Sequence, residues 1–137
     1  MTYRIFVYGT LKKGHRNNHY LSSSQYIKTA KTKTPSYIMK QYCYDPRMID
    51  EGQYPGISMC PPQEKCGHVE GEVWEVDEKT LKRLDDLEDE GNEYTRTSVT
   101  LDDNTTAQVY LYNTSPNRPE LPAKNISYKN GTYIWTK

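Results

Sequence analysis

The stretch Val69-Glu70-Gly71-Glu72-Val73-Trp74-Glu75-Val76-Asp77-Glu78 changes periodicity at its end, and that change sets the fold class. From 69 to 76, apolar and acidic residues alternate, which is the pattern of a half-buried strand. Asp77 carries the short acceptor side chain of a helix N-cap, and Glu78 then lies at the positive end of the helix dipole. Beyond it Leu81, Leu84 and Leu87 line one stripe, so the spacing predicts a helix. Upstream, Tyr3 to Tyr8 is rich in β-formers and ends on Gly9, a strand followed by the tight loop Gly9-Thr10-Leu11-Lys12-Lys13-Gly14. Asn17 or Asn18 can cap a short helix running to about Ser23. Tyr26 to Thr34 and Tyr37 to Tyr44 are expected as strands broken at Pro35. A loop over 45 to 56 closes on Tyr54-Pro55-Gly56, and Ile57 to Cys60 is a short strand. Downstream, Tyr94 to Leu101 and Thr106 to Tyr112 form a hairpin around Asp102-Asp103-Asn104-Thr105. Ile126 to Tyr128 and Thr132 to Trp135 flank Asn130-Gly131, a type I′ turn signal. Many short strands with two short helices predict an α+β fold, a strongly bent sheet or a small barrel. One domain is expected over residues 1–137, with 113–137 as a C-terminal extension.

Composition narrows the class. The 137 residues carry 18 basic and 18 acidic side chains and no formal net charge. Leu, Ile, Val and Phe together number only 22, a fraction that on its own suggests disorder, but disorder also needs high net charge. Thirteen tyrosines and two tryptophans supply the missing apolar area, each with a polar handle. The apolar run at the N-terminus is too short for a signal peptide, and no stretch approaches the ~18 apolar residues of a membrane span. A soluble, cytoplasmic protein is expected, with no membrane partner. The Asn-x-Ser/Thr triplets at Asn104, Asn113, Asn125 and Asn130 then read as turn chemistry rather than glycan sites.

Three candidate ligand-binding patterns are weak. Cys43, Cys60 and Cys66 form an odd set, which argues against a disulfide framework. Cys60, Cys66 and His68 could furnish a zinc site, but five residues between the cysteines is wider than zinc pairs usually show. His15 and His19 have helical i, i+4 spacing without a third ligand. No metal is expected. Residues 1–48 hold nine Lys/Arg and one acid, Asp45, yet Lys28, Lys31 and Lys33 interleave with threonine as on a protected edge strand. No nucleic-acid partner is expected.

One acid stands apart from its neighbours. Asp85-Asp86-Leu87-Glu88-Asp89-Glu90 has the look of a solvated run. At about 100° per residue, however, Glu88 falls about 40° from the centre of the leucine stripe, while the other acids lie about 100° or more away. If the helix persists to residue 88, Glu88 faces the core, and burial raises its pKa toward the range of a general acid/base. If it frays at Leu87, Glu88 faces solvent. The glycine-bounded loop after the first strand can aim consecutive N–H groups at one point, an anion or oxyanion site. It is neither a Walker loop nor a dinucleotide fingerprint.

Phe6-Val7-Tyr8-Gly9-Thr10-Leu11-Lys12-Lys13-Gly14 resembles the signature of the γ-glutamyl cyclotransferase-like superfamily. Tyr54-Pro55-Gly56, Val69-Glu70-Gly71-Glu72-Val73-Trp74, Leu84-Asp85-Asp86-Leu87-Glu88 and Tyr94-Thr95-Arg96 follow in family order. The branch most resembled is the γ-glutamylamine cyclotransferases, through Gly14, Asn17, Glu88 and Tyr94, over roughly residues 3 to 112. The resemblance implies a small mixed, strongly bent β-barrel with the loop and Glu88 facing one cavity. It implies conversion of a γ-glutamylamine, or a related γ-glutamyl amide, to 5-oxoproline and free amine, without cofactor. It implies Glu88 as general acid/base, and Gly9, Thr10 and Leu11 as the holders of the substrate α-carboxylate or the oxyanion. Tyr8 and Tyr94 would be cavity walls or hydroxyl donors, with Tyr112 a further candidate. The expected partner is therefore a small γ-glutamyl compound. The alternative is a non-catalytic domain of the same fold that binds a protein partner.

Overall fold

The computed structural model describes residues 1–43, 47, 52–113 and 119–137. The expected loop at 45 to 56, the end of the strand at Tyr44 and the triplet at Asn113 therefore fall partly outside the described residues. The strands are β1 (Thr2–Val7), β2 (Gln25–Lys31), β3 (Tyr37–Cys43), β4 (Gln53–Met59) and β5 (His68–Asp77). After the helix α1 (Glu78–Leu87) come β6 (Tyr94–Thr100), β7 (Thr106–Tyr112), β8 (Glu120–Leu121), β9 (Ile126–Lys129) and β10 (Thr132–Trp135). The second expected helix is only a 3₁₀ turn, Asn18–Leu21. Its flanking Asn17 does not cap it: the Asn17 amide instead donates to Thr10 Oγ1 at 2.9 Å.

β5 is the spine of the larger sheet. Its second half pairs antiparallel with β1 in the register Thr2↔Asp77 to Val7↔Glu72, and β2 runs antiparallel along it from Gln25↔Glu75 to Lys31↔Glu70. β1 in turn lies parallel to β7, which forms the expected hairpin with β6. The far end of this hairpin returns to β2 through the Thr32↔Leu101 bridge and the bond from Lys33 N–H to Thr100 O. That contact curls the sheet strongly and draws its two sides together. Lys28 reaches Asp103 at the hairpin turn and Lys33 reaches Asn104, so these two lysines of the basic first third serve the same closure.

A second sheet, in the order β4-β3-β8, faces the first. β4 is longer than expected because Tyr54-Pro55-Gly56 lies inside it. Proline is admissible there because β4 is an edge strand. The segment expected as an extension is woven in: β8 pairs with β3, and β10 lies parallel to β5 at Thr132↔His68 and Tyr133↔Val69. Asn130 and Gly131 both have positive φ, 52° and 72°, as a type I′ turn requires.

The alternation of β1 splits the core. Phe6 and Tyr8 point between the sheets with Val73, Ile57 and Trp135, while Ile5 and Val7 point beneath α1 with Trp74, Val76, Leu81 and Leu84. The cysteine reading needs correction. Cys60 and Cys66 form one local disulfide, because the end of β4 and the approach to β5 bring their Cα atoms to 5.5 Å, and Cys43 is buried and free. Bonded sulfurs are not thiolate ligands, and His68 Nδ1 lies 2.8 Å from Thr32 O. Among the described residues no group of three or more His, Cys, Asp or Glu could hold a metal ion, and no helix is long and apolar enough to cross a membrane.

At Gly71, β5 lies too close to β1 to leave room for a side chain. A Cβ there would sit 2.4 Å from the Val7 carbonyl oxygen and 2.9 Å from the Phe6 ring. Backbone cannot yield as a flexible side chain can, so Gly71→Ala is expected to cost about 1–3 kcal/mol by denaturant unfolding. An unchanged unfolding midpoint would show that the β1–β5 contact is looser than this packing.

Candidate active site

The Asp77 side chain accepts from Thr80 N–H at 2.7 Å, which starts α1 in the expected register, and this bond holds the exposed Asp77 carboxyl below its ordinary pKa. Leu81 and Leu84 are buried on β1 and β5. The helix does not fray before residue 88. Glu88 keeps right-handed dihedrals (φ −86°, ψ 0°), and its N–H donates to Leu84 O at 2.9 Å. The chain leaves the helix one residue later, at Asp89, with φ 51°. Glu88 is therefore carried one turn past Leu84 and faces a cavity of about 130 Å³.

The other wall of that cavity comes from the turn after β1, where Tyr8, Gly9, Thr10 and Leu11 all line it. The turn is held from several sides. Lys12 N–H donates to Gly9 O, Lys13 N–H to a Glu72 carboxylate oxygen, and Asn17 N–H to Thr10 O. The N–H groups of Thr10 and Leu11 enter none of these bonds. From beneath, the buried Lys12 ammonium donates to Trp135 O at 2.7 Å, and burial lowers its pKa against the pull of Glu72 and Glu70. Gly9 lies so close to Pro55 that a Cβ would meet the proline ring at 2.6 Å, which locks the turn to β4.

Tyr8 and Tyr94 are cavity walls whose hydroxyls are committed to backbone. Tyr8 donates to Tyr110 O at 2.7 Å and accepts from Ile57 N–H at 3.3 Å, and Tyr94 donates to Pro55 O at 2.8 Å. Burial, reinforced by the nearby carboxylates, pushes both phenols well above their ordinary range, so they stay neutral. Tyr112 stands behind the wall. It stacks on Tyr42 at 4.0 Å and meets Tyr94 edge-on at 5.2 Å, outside the cavity.

Two cavity residues and one brace behind the wall escape sequence reasoning. Arg16, just past the loop, lines the cavity, and partial burial lowers its pKa. Glu93, only 8% exposed, presents a second carboxylate and accepts a hydrogen bond from the Tyr54 hydroxyl. Glu93 follows the helix in an irregular turn, so no periodicity marks it, and its adjacency to Tyr94 is the only signal. Asp85, assigned by pattern to the solvated run, is half-buried: it accepts from Arg96 Nε at 3.0 Å and from the Tyr110 hydroxyl at 2.7 Å. That pair braces Tyr110, another wall of the cavity.

Loss of solvation, followed by repulsion from Glu93, pushes the Glu88 carboxyl from its ordinary 4.5 up to about 8. An acid poised there can both give and take a proton near neutral pH.

A profile of the family described as gamma-glutamyl cyclotransferase, AIG2-like, matches residues 5–134. The chain belongs to this family. The match includes the C-terminal strands, beyond the extent expected from motifs alone. The chain is 30% identical to gamma-glutamylaminecyclotransferase A of Danio rerio, over 85% of this chain and 71% of that one. It is 33% identical to a gamma-glutamylcyclotransferase family protein of Escherichia coli K12, over 68% of each. Among solved structures, an AIG2-like protein from Mus musculus is similar at a TM-score of 0.56 and 28% identity, covering 83% of this chain and 78% of that one. Family membership supports a γ-glutamyl cyclotransferase activity at the level of the reaction class.

The raised pKa has a cost in stability whose sign is fixed. Below about 4.5 the Glu88 carboxyl is protonated in folded and unfolded chains alike, whereas between about 4.5 and about 8 only the folded chain holds the proton. Stability therefore falls as pH rises through this window. Glu88→Gln removes the effect. At pH 8 it is expected to be more stable than wild type, by on the order of a few kcal/mol in urea unfolding, with the gap closing toward pH 4.5. A gap independent of pH would contradict the desolvated placement of Glu88.

Proposed function

We propose that the protein converts a γ-glutamylamine to 5-oxoproline and the free amine, with Glu88 as general acid/base. The observation that carries this reading is a desolvated, proton-poised carboxyl facing the same small cavity as the Gly9-Thr10-Leu11 turn. In the reaction the substrate's α-nitrogen attacks its own γ-carbonyl carbon. The new C–N bond closes the five-membered lactam, and the C–N bond to the amine breaks. The α-ammonium gives up two protons, and both end on the departing nitrogen, which leaves as an ammonium. Glu88 is the carrier between the two nitrogens.

Because the attack is intramolecular, the protein's main task is to hold the chain folded back on itself. The turn after β1 supplies backbone N–H groups for an anionic oxygen of the substrate, either its α-carboxylate or the oxyanion developing on the γ-carbonyl. Tyr8, Tyr94 and Tyr110 confine the chain and exclude water, while their neutral hydroxyls stay tied within the protein. No step requires a metal or an organic cofactor. A non-catalytic domain of this fold would gain nothing from keeping Glu88 where burial destabilises it, which favours the enzyme over the binding module.

Incubation with γ-glutamyl-ε-lysine and other γ-glutamyl amines is expected to release 5-oxoproline, detected by chromatography. Glu88→Gln is expected to lower kcat by about 10²–10⁴. No product across the panel, or full activity in the variant, would overturn the proposal.

A further inference from the structure

The cavity holds one carboxylate more than the proton transfer needs. Glu93 lies just past the helix end, in the turn that leads into β6. Its main chain is anchored at both ends, by Glu93 N–H to Asp89 O at 3.0 Å and by Asn113 N–H to Glu93 O at 2.7 Å. Its carboxylate is held by the Tyr54 hydroxyl, and Tyr54 also lines the cavity. The group is thus buried, oriented and aimed into the same space as Glu88.

Two carboxylates sharing a small, poorly hydrated space repel each other, and repulsion from Glu93 is one cause of the proton held on Glu88. Such a pair becomes favourable when a cation enters between its members. Arg16 supplies positive charge among the other cavity residues. A γ-glutamyl compound brings a positive charge of its own, the α-ammonium, next to the atoms that react. An ammonium has three N–H donors and can engage a holding carboxylate and a proton-accepting one together.

We propose that Glu93, oriented by Tyr54, is the binding site for the substrate's α-ammonium, and that it delivers this nitrogen to Glu88 and to the γ-carbonyl. The inference rests on the cyclotransferase reading and assigns within it a residue that selects compounds with an unblocked α-amine. The division of labour follows from position. Glu88 carries the proton, and Glu93 keeps the nitrogen within reach while its charge is lost. Entry of the ammonium also favours the ionised form of Glu88, so the bound substrate prepares its own base.

The test uses the Glu88→Gln protein, which should bind without turnover, and two ligands measured by calorimetry. One is γ-glutamyl-ethylamide, whose only cation is the α-ammonium; the other is glutaric acid mono-ethylamide, which lacks only that ammonium. Adding Glu93→Gln is expected to weaken the first ligand by about 10–100-fold, in the range of a lost charge-assisted bond, and the second by less than about threefold. Retained binding of the second ligand shows that the site is folded. Tyr54→Phe, which removes one hydrogen bond from the Glu93 carboxylate without removing the carboxylate, is expected to give the same selectivity in weaker form and serves if Glu93→Gln does not fold.

Equal losses for both ligands, or no loss for either, would overturn the inference while leaving the cyclotransferase reading intact, provided that the wild type releases 5-oxoproline. No 5-oxoproline from wild type together with no binding of either ligand would overturn both. An effect of Glu93→Gln on γ-glutamyl-ε-lysine but not on γ-glutamyl-ethylamide would place Glu93 against a distal cation of the leaving amine and would likewise overturn the assignment.

Discussion

Removing water from one carboxyl group is the constraint on which the site turns. Glu88 has to lie where solvent is scarce, and nothing in its own chemistry favours that. The surrounding scaffold imposes the position. Asp77 fixes where α1 begins, Leu81 and Leu84 fix which face turns inward, and the bond from Glu88 N–H to Leu84 O extends helical geometry one residue past the last regular turn. Asp89 then breaks away with positive φ. A helix ending one residue sooner would leave Glu88 in the solvated run with Asp86 and Asp89.

The tyrosine surplus belongs to the same constraint. A cavity walled by aliphatic chains would be dry but would leave the backbone carbonyls behind it without donors. Tyr8 and Tyr94 supply broad apolar faces to the cavity and donate hydroxyls to Tyr110 O and Pro55 O. Tyr54 supplies a hydroxyl to Glu93, and Tyr110 supplies one to Asp85. Tyr112 and Tyr42 stack behind Tyr94 and keep that wall rigid. Six of the thirteen tyrosines thus build one small region, which accounts for a core so poor in leucine and phenylalanine.

What could be read in the sequence was local. The strand before Gly9, the Asp77 cap, the β6–β7 hairpin and the Asn130-Gly131 turn each depend on a few adjacent residues, and each stands where the pattern places it. Glu88 was legible because helical spacing converts sequence position into direction. Glu93 was not, because it follows two positive-φ residues, Asp89 and Gly91, across which no period survives. Distance along the chain hid the parallel placement of β10 beside β5 and the Arg96–Asp85–Tyr110 brace, both of which join residues that only the finished sheet brings together. The Cys60–Cys66 disulfide is local, and the odd cysteine count masked it. Asn17 shows local competition instead: its side chain could cap the next turn or hold Thr10, and the loop claims it.

The central claim is that Glu88 is a desolvated acid whose proton is lost near neutral pH. A carbon-13 NMR titration of glutamate side-chain carboxyls tests it most directly, with the Glu88 resonance assigned by its disappearance in Glu88→Gln. The account predicts a midpoint at about 8 for that resonance, and a midpoint at the ordinary carboxylate value near 4.5 would contradict it.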